Sequence, residues 1–268
     1  MFLKQIHDYN EINYGISNYL HPGVFTNNFL SKKDYEREIA AETLFYHATP
    51  DVLLLFRERH NRFILTYYLN NGGELPPIDV EKTIVTEIPL RPKDAARSET
   101  LLKPLKTAGF QHILLRQRLT RTAITVNEQN NILWPSTDVT HATMENFHQI
   151  EVLLRESFDP LTGCIDSPKT LAEEIKAGEI LCRIDHARNI GAVLHFSENN
   201  NFSEIHHLAC RKDLQGKQFT QPLFNQYLKQ TMGKKLRVWT GEKNATALRF
   251  YERNGYTPDG WLSVVWYK

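Results

Sequence analysis

Two ionisable side chains, Glu204 and His206, stand two residues apart in the segment FSEIHHLAC, Phe202–Cys210, of a 268-residue chain. The segment reads as an extended strand. Its period of two sets Glu204, His206, Leu208 and Cys210 on one face and Ile205, His207 and Ala209 on the other. A carboxylate and an imidazole on one face form a pair that can relay a proton. An imidazole suits neutral pH, whereas Glu204 needs a raised pKa for the same work. His207 is expected to face away and to serve structure. Residues 211–220 then hold Asp213 and Gly216, and from Phe219 the apolar Leu223, Phe224, Tyr227 and Leu228 recur at helical spacing. A helix starting near Phe219 points its unpaired N–H groups and the positive end of its dipole back at the strand end, where a phosphate fits. An ordinary strand-to-helix crossover has the same outline, and spacing alone leaves the two readings open.

Further along, residues 244–256 read NATALRFYERNGY. They predict a helix with Asn244 as N-cap, Ala247, Leu248 and Tyr251 on an apolar face, and Gly255 as the stop. A capped amphipathic helix accounts for the pattern without any chemistry.

The two segments together, in this order and separated by a strand at residues 236–240, resemble motifs A and B of the GNAT superfamily of N-acyltransferases. Motif A has a strand like EI-x-x-LAV and a turn of the form R/Q-x-x-G-x-G/A; here the strand reads EIHHLAC and the turn QGKQFT. Gln215 fits the first position of the turn, while Gln218 and Thr220 replace its two glycines. Gly216 and Lys217 match the common R-G-K-G-x-G form. Motif B, N-x-x-A-x-x-FYE-x-x-GF, is matched by Asn244, Ala247, the Phe250-Tyr251-Glu252 triplet and Gly255.

The resemblance implies acyl transfer from acetyl-coenzyme A, or another acyl-coenzyme A, by direct attack of a small-molecule amine. It implies that backbone groups of Leu208, Ala209 and Cys210 hold the pantetheine arm, and that Gln215, Gly216, Lys217, Gln218, Phe219 and Thr220 cradle the pyrophosphate. Asn244 matches a residue that hydrogen-bonds the cofactor arm, and Tyr251 matches the general acid for the departing thiolate. Glu204 falls where the histone-acetylating branch places its glutamate and His206 where the arylalkylamine branch places a histidine; the choice of base stays open. Two other readings stay beside this one. An aminoacyl transferase using charged tRNA would employ the arginines, and a non-catalytic binding module would follow if the substituted turn no longer held the cofactor.

The even charge balance, 32 basic against 31 acidic residues, argues against a nucleic-acid arm. Three cysteines, Cys164, Cys182 and Cys210, with no C-x-x-C pair suggest neither a disulfide framework nor a zinc site. The histidines show no metal-ligand spacing, so no metal is expected. Residues 1–15 lack a signal-like apolar run, and no stretch has membrane-spanning length, so the expected home is the cytoplasm.

The expected class is α+β: a GNAT fold over residues 131–268, with a mixed sheet and flanking helices, after a smaller α+β domain over residues 1–130. In the first half Ser31 predicts the cap of a helix reaching Leu44, residues 51–57 and 62–69 a hairpin, residues 82–90 a strand, residues 94–108 a helix and residues 111–123 a strand. Leu105, Ala108, Gly109 and Phe110, followed by an extended segment, resemble the ending of motif B without its tyrosine, which reads as a degenerate repeat of the same fold. No phosphate-binding turn is present there. Arg57, Arg59, Arg62, Arg116, Arg118 and Arg121 read as a solvated face, or as a site for an anionic acceptor. In the second half, residues 143–158 and a segment capped by Ser167 or Thr170 predict paired helices. A loop of residues 160–164 between them is implied to stand at the acceptor mouth. A hairpin of residues 179–197 and a closing strand over residues 260–268 complete the pattern.

Overall fold

The computed structural model describes residues 1–19, 21–59, 61–70, 73–123 and 138–268. The expected turn residue His60, the loop residues Asn71 and Gly72, and the boundary residues 130–136 lie outside the described residues. By internal contacts the chain divides into two compact units, Met1–Arg116 with Gly260–Lys268, and Gln117–Asp259.

The first unit begins with β1 (Lys4–Gln5), α1 (Tyr9–Ser17), β2 (Phe25–Thr26), α2 (Lys32–Ala40) and β3 (Leu44–Ala48). There follow β4 (Val52–Arg59), β5 (Arg62–Leu69), β6 (Thr83–Leu90), α3 (Ser98–Thr107) and the start of β7 (Gln111–Arg121). Ser31 caps α2 as expected, in a reciprocal capping box with Asp34. The helix stops at Ala40 and does not reach Leu44, because Glu42 turns the chain at φ +59° and Leu44 opens a strand instead. β4 and β5 form the expected hairpin, Val52 opposite Leu69 through Arg59 opposite Arg62. One face of this sheet packs Leu53, Leu55 and Tyr68 against Ile12 of α1 and Tyr35 of α2, and the other packs Leu54, Phe56 and Leu65 around Leu105 of α3.

β5 and β6 run parallel but pair only from Arg62–Thr83 to Ile64–Val85. Beyond Ile64 the gap between them is filled by the chain itself. Phe25 and Thr26 of β2 pair with Leu69 and Tyr68, and the buried Asn27 joins both banks. Its Oδ1 accepts from Tyr67 N at 2.8 Å, and its Nδ2 reaches Leu65 O at 3.1 Å, Thr86 Oγ1 at 2.9 Å and Glu87 O at 3.0 Å.

The second unit comprises β8 (Val139–His141), α4 (Phe147–Ser157), α5 (Pro168–Lys176), β9 (Ile180–Ile184), β10 (Ile190–Glu198) and β11 (Phe202–Cys210). It continues with α6 (Gln221–Gln230), β12 (Lys235–Gly241) and α7 (Ala245–Arg253), and β13 (Thr257–Tyr267) leads out of it. Ile150, Leu153 and Leu154 of α4 and Leu171 and Ile175 of α5 cover one face through Cys182, Val193 and Ala209. Leu223, Phe224 and Tyr227 of α6 and Tyr251 of α7 cover the other through Leu181, Leu194 and Ile205. The alternation along β9 and β10 sends neighbouring residues to opposite clusters, as a sheet covered on both faces requires.

Along the chain one plan occurs twice. Each time, an antiparallel pair (β4–β5, β10–β11) leads into a short parallel pair (β5–β6, β11–β12), then a helix (α3, α7) and a further strand (β7, β13). The first unit has no described helix between its parallel strands, where the second has α6. The last strand, although it follows the second unit in sequence, pairs antiparallel with β6, Leu262 opposite Leu90 through Tyr267 opposite Val85.

Candidate active site

β11 forms over the expected residues, but its side chains do not alternate throughout. Cys210, Ala209, Leu208 and His207 lie opposite Ala192, Val193, Leu194 and His195; the next pair is Phe196 with Ile205, so His206 is one residue extra on β11. This is a β-bulge, and it reverses the phase of the strand. Leu208 and Cys210 therefore pack on the α6–α7 side. His206 turns the other way and meets Ser197 Oγ at 2.8 Å through Nε2. The expected common face of Glu204, His206, Leu208 and Cys210 is thus broken. The expectation that His207 faces away from His206 fails too, since both rings lie beside His195, with centroids 5.4 and 5.0 Å from it.

Glu204, opposite Ser197, forms an ion pair with Arg237 of β12. The Arg237 guanidinium lies 3.4 Å from the centroid of the Phe202 ring. Burial lowers the Arg237 pKa, and the Glu204 carboxylate opposes that shift. Nearby charge is also matched: Arg118 bonds Asp259 at 2.7 Å and lies 5.6 Å over the Trp239 ring. The other arginines of the first-half reading are likewise engaged inside the protein. Arg57 and Arg59 meet the buried Glu38, Arg116 meets Glu87, Arg121 donates to Asn254 O at 2.7 Å, and Arg62 is buried. They do not form the solvated face or anion-binding surface that their number suggested.

β11 and β12 run parallel and pair only from Phe202–Lys235 to Ile205–Val238. Past Ile205 they part, as β5 and β6 do past Ile64. Among the described residues no strand enters this second gap. The turn beside it holds Gly216 at φ +75° and Gln218 at φ +54°, a left-handed conformation in which glycine is usual. Gln218 has therefore kept the backbone of the expected glycine without its side-chain freedom. Thr220 sits at φ −82° and needs no glycine. α6 starts at Gln221, two residues after the expected Phe219, with Pro222 in its first turn. The backbone N–H groups of Gly216, Gln218, Phe219 and Thr220 have no protein partner among the described residues.

Residues outside the motif brace this turn. Arg183 of β9 donates to Phe219 O at 2.8 Å and lies 4.1 Å over the Phe219 ring. That ring rests on Gly191, where a Cβ would come within 2.6 Å of it and of Leu214. Arg211 bonds Asp213 and Asp185, and Gln215 Nε2 donates to Cys210 O at 3.1 Å. Sequence reasoning missed Arg183, Asp185 and Gly191, which precede the motif and are recognisable only by what they touch.

Asn244 caps α7, its Oδ1 accepting from Ala247 N at 3.1 Å, and Gly255 ends the helix at φ +79°. Tyr251 is buried, 5.4 Å from the Tyr256 ring, and burial raises its phenol pKa. It thus stays protonated at neutral pH, as a proton donor must.

Residues 147–256 match the family described as Acetyltransferase (GNAT) family. This stretch is a GNAT domain. The α4–β12 core, the β11 bulge, the parting strands and the turn before α6 all fall inside it. Over the whole chain, a tandem GNAT protein from the clavulanic acid biosynthesis pathway is similar in fold, with a TM-score of 0.63 at 9% identity, covering 100% of this chain and 98% of that one. An acetyltransferase of the GNAT family from Colwellia psychrerythraea gives 0.56 at 11% identity over 100% and 99% of the two chains. A GCN5-related N-acetyltransferase from Sphaerobacter thermophilus gives 0.55 at 13% identity over 89% and 85%. At such identities the fold is what is shared. No curated protein matches the chain. The plan that occurs twice along the chain is consistent with the tandem relative, and among the described residues the first occurrence has no counterpart of α6. Among the described residues no helix is long and apolar enough to cross a membrane.

Proposed function

We propose that the GNAT domain transfers an acyl group, acetyl being the first to test, from acyl-coenzyme A to the amine of a small acceptor. The observation that carries the reading is the contrast between the two gaps. The gap past Ile64 is closed by Phe25–Asn27 of the chain, whereas among the described residues none enters that past Ile205, beside a turn whose amides have no protein partner there. An extended pantetheine arm fits along Leu208, Ala209 and Cys210 as an added strand. Its pyrophosphate fits the amides of Gly216, Gln218, Phe219 and Thr220, with Gln215, Lys217 and Asn244 at the margin.

In the reaction the amine nitrogen bonds to the thioester carbonyl carbon, the carbon–sulfur bond breaks, and two proton transfers balance the step. His206, exposed and steadied by Ser197, takes the ammonium proton through water; Tyr251 gives its proton to the departing thiolate. Glu204 is ion-paired with Arg237, which favours a role in shaping the acceptor side over one as the base. The internal pairing of the arginines weighs against the charged-tRNA reading, and the glycine-like backbone at Gln218 weighs against a lost cofactor turn.

The test is acetyl-coenzyme A turnover against a panel of small amines. Tyr251→Phe is expected to lower kcat by about 100-fold or more with KM little changed, and His206→Gln to lower kcat and flatten the acid side of the pH–rate profile. Full activity in both variants would refute these roles.

A further inference from the structure

Behind the β11 bulge lies a buried group that the proposed reaction does not use. His195 of β10 and Glu174 of α5 are 2% and 4% exposed, and a ligand atom from each, with one from Asp166 just ahead of α5, lie within 4.8 Å of one another. His195 Nδ1 is 3.1 Å from His207 Nδ1, and His207 Nε2 is 2.7 Å from Gly163 O.

The proton positions follow from the far end of this chain. A carbonyl oxygen only accepts, so His207 Nε2 carries the hydrogen. Neutral His207 therefore offers a lone pair at Nδ1, and His195 must donate to it from its own Nδ1. With His195 neutral as well, its Nε2 is then a lone pair. It makes no hydrogen bond and is 3.5 Å from Glu174 Oε2, too far for the short bond a charged donor forms with a carboxylate. Glu179, a third carboxylate, acts on the same ring. Lone pairs converging in a dry, negative place call for a cation between them.

We propose that Asp166, Glu174 and His195 bind one divalent transition-metal ion of the zinc class. An inward shift of under an ångström brings the three atoms to the roughly 2.0–2.2 Å bonds of such an ion. One imidazole with two carboxylates suits zinc, cobalt or manganese better than calcium or magnesium. His207 orients His195 as an outer partner orients a metal-bound histidine, and through Gly163 it ties the site to the loop of residues 158–164. That loop is already tight: Asp159 Oδ1 accepts from the amides of Leu161 and Thr162, and a Cβ on Gly163 would meet Asp159 O at 2.6 Å. The ion pins α5 to β10 and takes no part in acyl transfer. No ligand pattern betrays it in sequence, because the three residues come from two separated segments.

The experiment uses the full chain, stripped with a chelator and titrated with Zn²⁺ by calorimetry and with Co²⁺ by visible absorption. The expected result is one tight equivalent with a cobalt d–d band. Glu174→Gln and the half-exposed Asp166→Asn should each weaken it at least tenfold, and His207→Gln by 10- to 100-fold. Circular dichroism of the stripped proteins checks folding, and Asp166→Asn serves if Glu174→Gln does not fold. Absence of a tight equivalent, or one that these variants leave unchanged, overturns the proposal and assigns the charge to a proton shared by Glu174 and His195.

Discussion

Gln218 shows most plainly how one residue can keep a backbone and give up its usual side chain. Its φ of +54° costs an L-residue roughly 1 kcal/mol, which a glycine avoids. Gln218→Gly is therefore expected to raise stability by up to about 1 kcal/mol, less glycine's own entropic cost, and to leave coenzyme A affinity equal or better. A lower Tm together with weaker binding would show that the side chain itself is needed. Asn27 is the converse case, a polar residue buried because four partners satisfy it. Asn27→Ala strands Tyr67 N–H and the facing carbonyls, and should cost about 2–4 kcal/mol in denaturant unfolding. Glu38 is held by Arg59 and Arg57. Burial alone would raise its carboxyl pKa, but the two guanidiniums outweigh this and hold it below the usual carboxylate range. A depressed pKa adds stability above the unfolded value, and that stability is lost as pH falls through the folded value. Stability measured from pH 5 downward should drop in the parent and drop less steeply in Glu38→Gln, which also costs about 3–5 kcal/mol by leaving Arg59 buried without its anion.

At the scale of elements, much of the architecture was legible because it rests on local signals. Ser31 and Ser167 cap their helices, Asn244 and Gly255 bracket α7, and the alternating apolar runs became β4, β5 and β10. What escaped depends on a partner strand. A bulge at His206 exists only in the register with β10, and two adjacent histidines give no sign of which way each will point. α6 starts past the expected Phe219 for a related reason, since Gln218 in the left-handed region delays the helix to Gln221. The braced turn gives an element-scale prediction. Gly191→Ala would press a methyl against Leu214 and the Phe219 ring, displace the turn, and weaken coenzyme A binding at least tenfold with β10 otherwise intact. Unchanged binding, read by calorimetry, would mean that Phe219 does not position the amides.

For the whole molecule, the repeat of hairpin, parallel pair, helix and strand was only faintly written, in Leu105, Ala108, Gly109 and Phe110 at the end of α3. The feature that separates the two copies was not written at all: Phe25–Asn27 are some forty residues from the strand they join, and nothing local marks them as the filling of a gap. One gap is closed by the chain, and the other is the one proposed to receive the cofactor. The most direct measurement is calorimetric titration of the full chain with acetyl-coenzyme A, alone and in the Gly216→Trp variant. Saturable binding of one equivalent per chain, lost in that variant, is the expected result. No saturable binding, two equivalents, or undiminished binding in Gly216→Trp would contradict it.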